Sequence, residues 1–329
     1  MTFQTDIKDD IDALLALGEL SEPISYRVHA LGSLETGLVG RWELEESSGR
    51  AVDVSGRGNH LTAVGSVGSK ADGKILRARG PFSAANYLRR DLAALDDFDI
   101  RGLVSMTALA WVRLAAKTGN QSILEIWSPT LTDQALILRY ELASDTVVFH
   151  QADGAGGSSS VTAGVLAPAV GTWFLAAGVF DAGTQMLSAY LNGTLVSAAG
   201  EAGGFPHSTF AAGLKLGAFT TAGLSGDLDD GMFWAGRALT EAELDTIYGA
   251  GDGPWSDVNA FVTPGYADDP NLIGVAAEGL DPPIVVQVSK TDIPTVTELK
   301  DVVLWNGKHY HVKRIIDEDA ASRRLYCAR

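Results

Sequence analysis

Between about residue 37 and about residue 250 the chain is a series of short apolar runs, most alternating with polar residues and separated by Gly, Asp, Asn and Ser. "SMTALAWVRL", "QALILRYEL", "DTVVFHQA", "TWFLAAGVFD", "MLSAYLNGTLVSA" and "GLKLGAF" are of this kind. A period of two places alternate side chains on opposite faces of a strand, and strands this closely spaced predict an all-β sandwich or barrel. In "YLNGTLV" the pair Asn192-Gly193 suits the left-handed corner of a two-residue type I′ hairpin. "LTEAELDTIYGAG" instead predicts a short helix, opened by a capping box of Thr240 and Glu243 and closed by Gly249.

The ends of the chain have a different texture. In "TDIKDDIDALLAL", residues 5 to 17, Thr5 suits an N-cap and Asp6 and Asp9 favour the helix dipole. Ile7, Ile11, Leu14 and Leu15 fall on one apolar face. Pro23 then opens an extended run in which Ile24, Tyr26 and Val28 alternate with polar residues. "GDGPWSDVNAFVTPGYADDP", residues 251 to 270, reads as a linker from its Gly, Pro and Asp. Strands resume in "NLIGVAAEG", "PIVVQVS", "DVVLWNG", "HYHVKRIID" and "RRLYCAR", with "KTDIPTVTELK" as a loop. Trp305-Asn306-Gly307 stands at a hairpin turn. His309 and His311 share one face of a strand and have no third ligand in sight, so a strand face is the better reading than a two-His metal site.

At 329 residues two domains, or one domain with a large insertion, are expected. The net charge of −16 argues against broad non-specific DNA binding. One cysteine, Cys327, excludes an internal disulfide or a Cys-based zinc site. The acidic start lacks the basic-then-apolar order of a signal peptide, and no apolar run approaches the ~18 residues of a membrane span. Synthesis in a reducing cytoplasm, without membrane insertion, is the expectation. Gly-x-Ser-x-Gly elbows and phosphate loops are missing.

From Gly37 to about Gly251 the chain resembles the laminin-G-like, concanavalin A-like jelly rolls. The resemblance rests on five stretches in order. They are "GLVGRWELEESSGRAVDVSGRGNHLTAVG", "MTALAWVRL" with Trp111, "WFLAAGVFDAGTQMLSAYLNGTLV", "LKLGAF" and "LSGDLDDGMFWAGRALTEAELDTIY". It implies two antiparallel sheets and a calcium site whose matching residues are Asp53, Asn59 and Asp229, hard oxygen donors suited to Ca²⁺. The same residues suit Asx turns and a turn cap, and both readings stand. The Glu-x-Asp-x-x-Glu strand of concanavalin-like hydrolases is missing. Glu43 and Glu45 in "WELEE" are expected on the solvated side of an edge strand, and Asp227 and Asp229 in "GDLDDG" at a turn. No enzyme is expected.

With this middle removed, the two ends resemble the small head–tail joining (head-completion, or stopper) proteins of long-tailed bacteriophages. The residues are the amphipathic helix, "LIGVAAEG", "VVQVSKTDIPT", "VVLWNGKHYHVKRIIDED" and "RRLYCAR". "TELKDVV" departs from the Arg-Arg-Gly-Asp often found before the family's hairpin. The implied organisation is mainly β. A small β-barrel or sandwich connector with an N-terminal helix (1–32 and 269–329) is interrupted by a jelly roll (33–252) and a linker (253–268). The resemblance further implies a homo-oligomeric ring, a hexamer in the family, in the virion neck. The ring would sit between portal or adaptor and tail terminator, assemble in the bacterial cytoplasm and pass DNA without reading its sequence. Ile7, Ile11, Leu14, Leu15 and Trp305 are the candidate ring contacts. The inserted jelly roll would project outward towards host-surface glycan, capsid fibres or neighbouring neck proteins. The competing reading is a carbohydrate-binding module of a bacterial surface or secreted protein.

Overall fold

A computed structural model describes residues 22–27, 32–75, 77–92, 96–98, 104–127, 134–152, 158–163, 168–200, 213–218, 223–252, 256–264, 284–289, 302–305, 308–317 and 322–328. The chain folds as two units, one of Met1–Leu31 with Asp252–Arg329 and one of Gly32–Gly251.

Strand β1 (Glu22–Arg27) belongs to the first unit. The second unit then supplies β2 (Leu38–Trp42), β3 (Thr62–Val64), β4 (Gly68–Lys70), β5 (Ala78–Gly80), β6 (Tyr87–Asp91), β7 (Met106–Leu114) and β8 (Gln121–Trp127). It continues with β9 (Gln134–Glu141), β10 (Thr146–Ala152), β11 (Ser158–Ala163), β12 (Trp173–Asp181), β13 (Met186–Leu191), β14 (Thr194–Gly200), β15 (Gly213–Leu216), β16 (Gly226–Ala235) and helix α1 (Glu241–Asp252). The chain returns to the first unit with β17 (Ser256–Pro264), β18 (Ile284–Ser289), β19 (Val302–Trp305), β20 (Lys308–Asp317) and β21 (Ser322–Ala328).

In the first unit β1 pairs antiparallel with both β17 and β19, so the order β1-β17-β18-β21-β20-β19 closes into a barrel. A closed ladder leaves no strand edge exposed. Val286 and Leu325 face each other in register and are both buried, as is Cys327. The stretch expected as a linker therefore contains a barrel strand, β17. Its Gly, Pro and Asp neighbours hid the period-two run Val258, Ala260, Val262, which a composition reading passes over. The predicted N-terminal helix, with Ile7, Ile11, Leu14 and Leu15, lies outside the described residues, as do the "NLIGVAAEG" strand and the loop before β19. Trp305 ends β19 in register with Lys308, and His309 and His311 lie in β20. The side chains of these three are outside the described residues.

The second unit is a sandwich of two antiparallel sheets. One has seven strands in the order β11-β10-β9-β8-β15-β6-β3, the other eight in the order β14-β13-β12-β7-β16-β5-β4, and β2 also pairs with β16. First and last strands are thus neighbours, which brings the ends of the unit together, as insertion into another domain requires. The core lies between the sheets. Leu124, Ile126, Leu136, Leu138, Val147 and Phe149 fill it from the seven-stranded side, and Ala108, Ala110, Val112, Phe174 and Ala176 from the other. Trp42 is fully buried and stacks on Phe98 at 6.1 Å, and Phe98 meets Phe233 at 5.4 Å. All five residues of β2 are buried, and Glu43 and Glu45 beyond it are half-buried where a solvated side was expected. The hairpin at Asn192 (φ 53) and Gly193 (φ 79) has the left-handed corner its sequence requires. The capping box of α1 also forms, with Thr240 N donating to Glu243 Oε2 at 2.8 Å.

Gly178 sets how closely the sheets approach. A Cβ there would lie 2.1 Å from Cδ2 of Phe149, which crosses from the opposite sheet. Gly178→Ala should therefore destabilise the sandwich by about 1–3 kcal/mol through overpacking. Denaturant unfolding measures this, and an unchanged midpoint would contradict the packing described.

Candidate functional site

Of the three candidate calcium ligands, two meet and the third is held elsewhere. The Asp53 carboxylate accepts from Arg41 N at 3.0 Å, Ser55 N at 2.9 Å, Ser55 Oγ at 2.9 Å and Asn59 N at 2.8 Å. Its lone pairs are thus engaged by an Asx-type turn. Asn59 Nδ2 donates to Val39 O and Asp97, and Asn59 O accepts from Trp42 Nε1 at 2.8 Å. This turn ties β2 to the loop behind it and orients Trp42 in the core. Asp229 lies in mid-strand, not at a turn, and its Oδ2 accepts from Ile75 N at 2.9 Å. Among the described residues no group of three or more His, Cys, Asp or Glu is placed to hold a metal ion. As arranged, the three residues do not fit a shared calcium cage.

A second acidic group surrounds the loop between β4 and β5. Glu45 accepts from Arg77 N at 3.2 and 3.0 Å, beside the Ile75–Asp229 bond. Arg113 pairs with Asp227 at 2.9 Å and with Asp72 at 2.7 Å, and its guanidinium lies 4.9 Å from the Trp173 ring. Trp111, buried on the face away from the core, stacks on Tyr248 of α1 and lies beneath Lys74. Fully buried Arg41 pairs with Asp230 at 3.0 Å and Glu43 at 3.4 Å. The carboxylates of "WELEE" and "GDLDDG" thus pin a loop and neutralise a buried cation.

The outer face of the seven-stranded sheet is different. Where alternate residues of β8, β9, β10 and β15 enter the core, their neighbours point the other way. There Lys215 stands between Arg89 and Glu125 in register, Glu125 opposite Ile137, and Ile137 opposite His150. Arg139 faces Ser122 one pair along. Ser122 and Glu125 are each only 1% exposed. Ser122 Oγ, Glu125 Oε2 and Arg139 Nε are all buried without a hydrogen-bond partner. Burial pushes the Glu125 carboxyl up to about 7 against the opposing pull of Lys215, and burial likewise lowers His150 below its ordinary range. Native proteins pair nearly all such groups, so three on one sheet face mark a place where an outside molecule or ordered water supplies the partners.

Sequence reading missed this strip. Its signal was a lone acid in the apolar run "SILEIW" and an Arg two residues from a Glu in "LILRYE". Neither belongs to a known motif, and only strand pairing brings them together.

A family model described as the concanavalin A-like lectin/glucanases superfamily matches residues 90–245. With the two-sheet order above, this decides the fold. The sandwich is a laminin-G-like, concanavalin A-like jelly roll. No curated protein matches the chain in sequence. Among solved structures, domain 4 of AbnA, a GH43 extracellular arabinanase from Geobacillus stearothermophilus in complex with arabinotriose, is similar at 16% identity. That match covers 64% of this chain and 98% of that one, with a TM-score of 0.50. A botulinum neurotoxin type C structure, described by cell entry dependent on two ganglioside molecules, is similar at 10% identity. It covers 88% of this chain and 75% of that one, with a TM-score of 0.54. A Trypanosoma rangeli sialidase in complex with sialic acid is similar at 15% identity and a TM-score of 0.48. That match covers 66% of this chain and 33% of the sialidase. At these identities the likeness is one of fold.

Within the jelly roll Glu45 has a distinctive pH signature. Burial, then the nearby charge of Asp229, raises its pKa from 4.5 to about 10. The folded state then holds a proton that the unfolded state releases, so this group costs stability as pH rises above about 4.5, and increasingly towards 10. Glu45→Gln keeps an acceptor for Arg77 N and removes the ionisation. The variant should match the parent at pH 4 and exceed it by roughly 1–3 kcal/mol at pH 8. Thermal melts at both pH values check this, and an advantage equal at both would contradict it.

Proposed function

We propose that the jelly roll is a non-catalytic carbohydrate-binding module and that the outer face of its seven-stranded sheet receives the sugar. The observation that carries this reading is the set of buried, unpartnered atoms Ser122 Oγ, Glu125 Oε2 and Arg139 Nε. Together they offer a hydroxyl, a carboxylate acceptor and a guanidinium donor. A sugar hydroxyl donates and accepts at once, so neighbouring hydroxyls satisfy such a set with few immobilised parts. The matched family is described as lectins and glucanases, and the similar arabinanase domain holds arabinotriose, which supports the same reading. Against an enzyme stands the engagement of Glu45, Asp227 and Asp229 in holding a loop, since glycoside hydrolysis needs two facing carboxyl groups.

A second reading concerns the other unit. Strands from both chain ends close one barrel, with the jelly roll between them in sequence, and this supports a barrel that serves as the founding domain. On that reading the chain is a ring-forming head–tail connector of a phage neck. Portal, adaptor and terminator proteins are its partners, and the jelly roll is displayed outward. The family match and the structural likenesses favour the carbohydrate-binding module instead, and the connector rests on the sequence resemblance alone. Carbohydrate binding is common to both.

Retention of the full chain on immobilised polysaccharides tests the reading. Arg139→Ala and Ser122→Ala should each weaken retention about tenfold, the loss of one buried hydrogen-bonding group, while melting stays near that of the parent. Retention unchanged in both variants would move the site off this face.

A further inference from the structure

The strip lies in a chain with a strong excess of acid, yet locally its charges balance. Arg89 Nε donates to Asp91 Oδ1 at 2.7 Å. Arg139 pairs with Glu141 at 2.8 Å. Lys215 stands opposite Glu125 in register, and its charge draws the Glu125 carboxyl back down against the effect of burial. Each described cation of this face therefore already has an acid beside it. His150, lowered by burial, adds no positive charge at neutral pH.

A carboxylated or sulfated glycan needs cations without such acids, ideally a guanidinium free to form both arms of a fork. Here the Arg139 fork is divided. Its Nη2 holds Glu141 and its Nε is buried without a partner, while the buried, unpartnered acceptor Glu125 Oε2 repels an anion. One donor, one acceptor and the two-way hydroxyl of Ser122 suit a pair of uncharged hydroxyls. Resting on the carbohydrate reading above, we propose that this face selects neutral saccharides and that Glu125 is the residue that rejects acidic ones. Glu125 does this in two ways. As an acceptor it engages a hydroxyl that an acidic group could not replace, and as a charge it cancels Lys215.

The chain-wide acidity also repels polyanions, so the decisive comparison lies between parent and variant. Affinity electrophoresis of the full chain uses gels cast with linear arabinan or a mixed-linkage glucan as neutral probes and polygalacturonate as the carboxylated one. The buffer is at pH 8, where Glu125 is ionised, with about 0.15 M salt so that charges beyond about 8 Å are screened. The parent should be retarded by a neutral probe and not by polygalacturonate. Glu125→Gln, nearly equal in shape, should weaken the neutral interaction about tenfold and bring measurable retardation by polygalacturonate. Glu141→Gln, which frees the Arg139 fork, should shift preference the same way. Melting curves confirm that each variant is folded. Preferential binding of polygalacturonate by the parent would overturn the neutral selection and leave the carbohydrate reading standing. An unchanged preference in both variants would likewise overturn it. Retardation by none of the three probes would remove both.

Discussion

The packing of the two inner sheet faces is the constraint on which the rest of the jelly roll depends. Phe149 crosses into the space that Gly178 leaves open, and Leu124, Leu138 and Val147 pack beside it. A strand has a period of two, so a slip by one residue would turn every one of these groups outward. Fixing the inner face therefore fixes the outer one at no further cost. Glu125 faces Lys215, and Ser122 faces Arg139, because their neighbours are locked in the core. A β-bulge between Ser122 and Leu124 lets Ile123 and Leu124 both enter the core while Ser122 stays outside, and a second register shift follows at Ile126/Trp127.

Carboxyl groups in this fold divide by what their surroundings give them. Asp53 meets four donors and becomes the anchor of a turn. Asp227 meets a guanidinium, and Asp229 and Glu45 meet backbone N–H groups of the β4–β5 loop. Glu125 and Asp229 each combine near-complete burial with an oxygen left without a donor, and of the two only Glu125 faces a lysine in register. Residue type is the same throughout, so composition could not separate structural acids from the binding candidate. Environment does, through the cost of leaving a buried polar group unsatisfied.

The parts of the fold legible in the sequence were those set by local rules. Asn192-Gly193 turned where its backbone preference said, Thr240 and Glu243 capped α1, and the alternation of "MTALAWVRL" became β7. The matched family model bears out the jelly-roll reading over residues 90–245. What failed was set by long-range pairing. Glu43 and Glu45 were expected at a solvated edge, but pairing of β2 with β16 and the fold-over of the β4–β5 loop leave them only half-exposed. The strand in "SDVNAFVTP" hid among turn-forming neighbours and owes its place to β1 and β18. The strip of unpartnered atoms and its charged neighbours joins residues from β6, β15, β8, β9 and β10, so no window of sequence contains it.

The central claim is that Arg139 Nε, Glu125 Oε2 and Ser122 Oγ receive a sugar. The most direct measurement follows the arginine Nε–H resonances of the full chain by NMR during titration with the neutral oligosaccharide it retains best. The account predicts a saturable shift and slowed solvent exchange of the Arg139 Nε–H, absent in Arg139→Lys. Saturable binding that leaves the Arg139 signal unmoved while other arginines shift would contradict it.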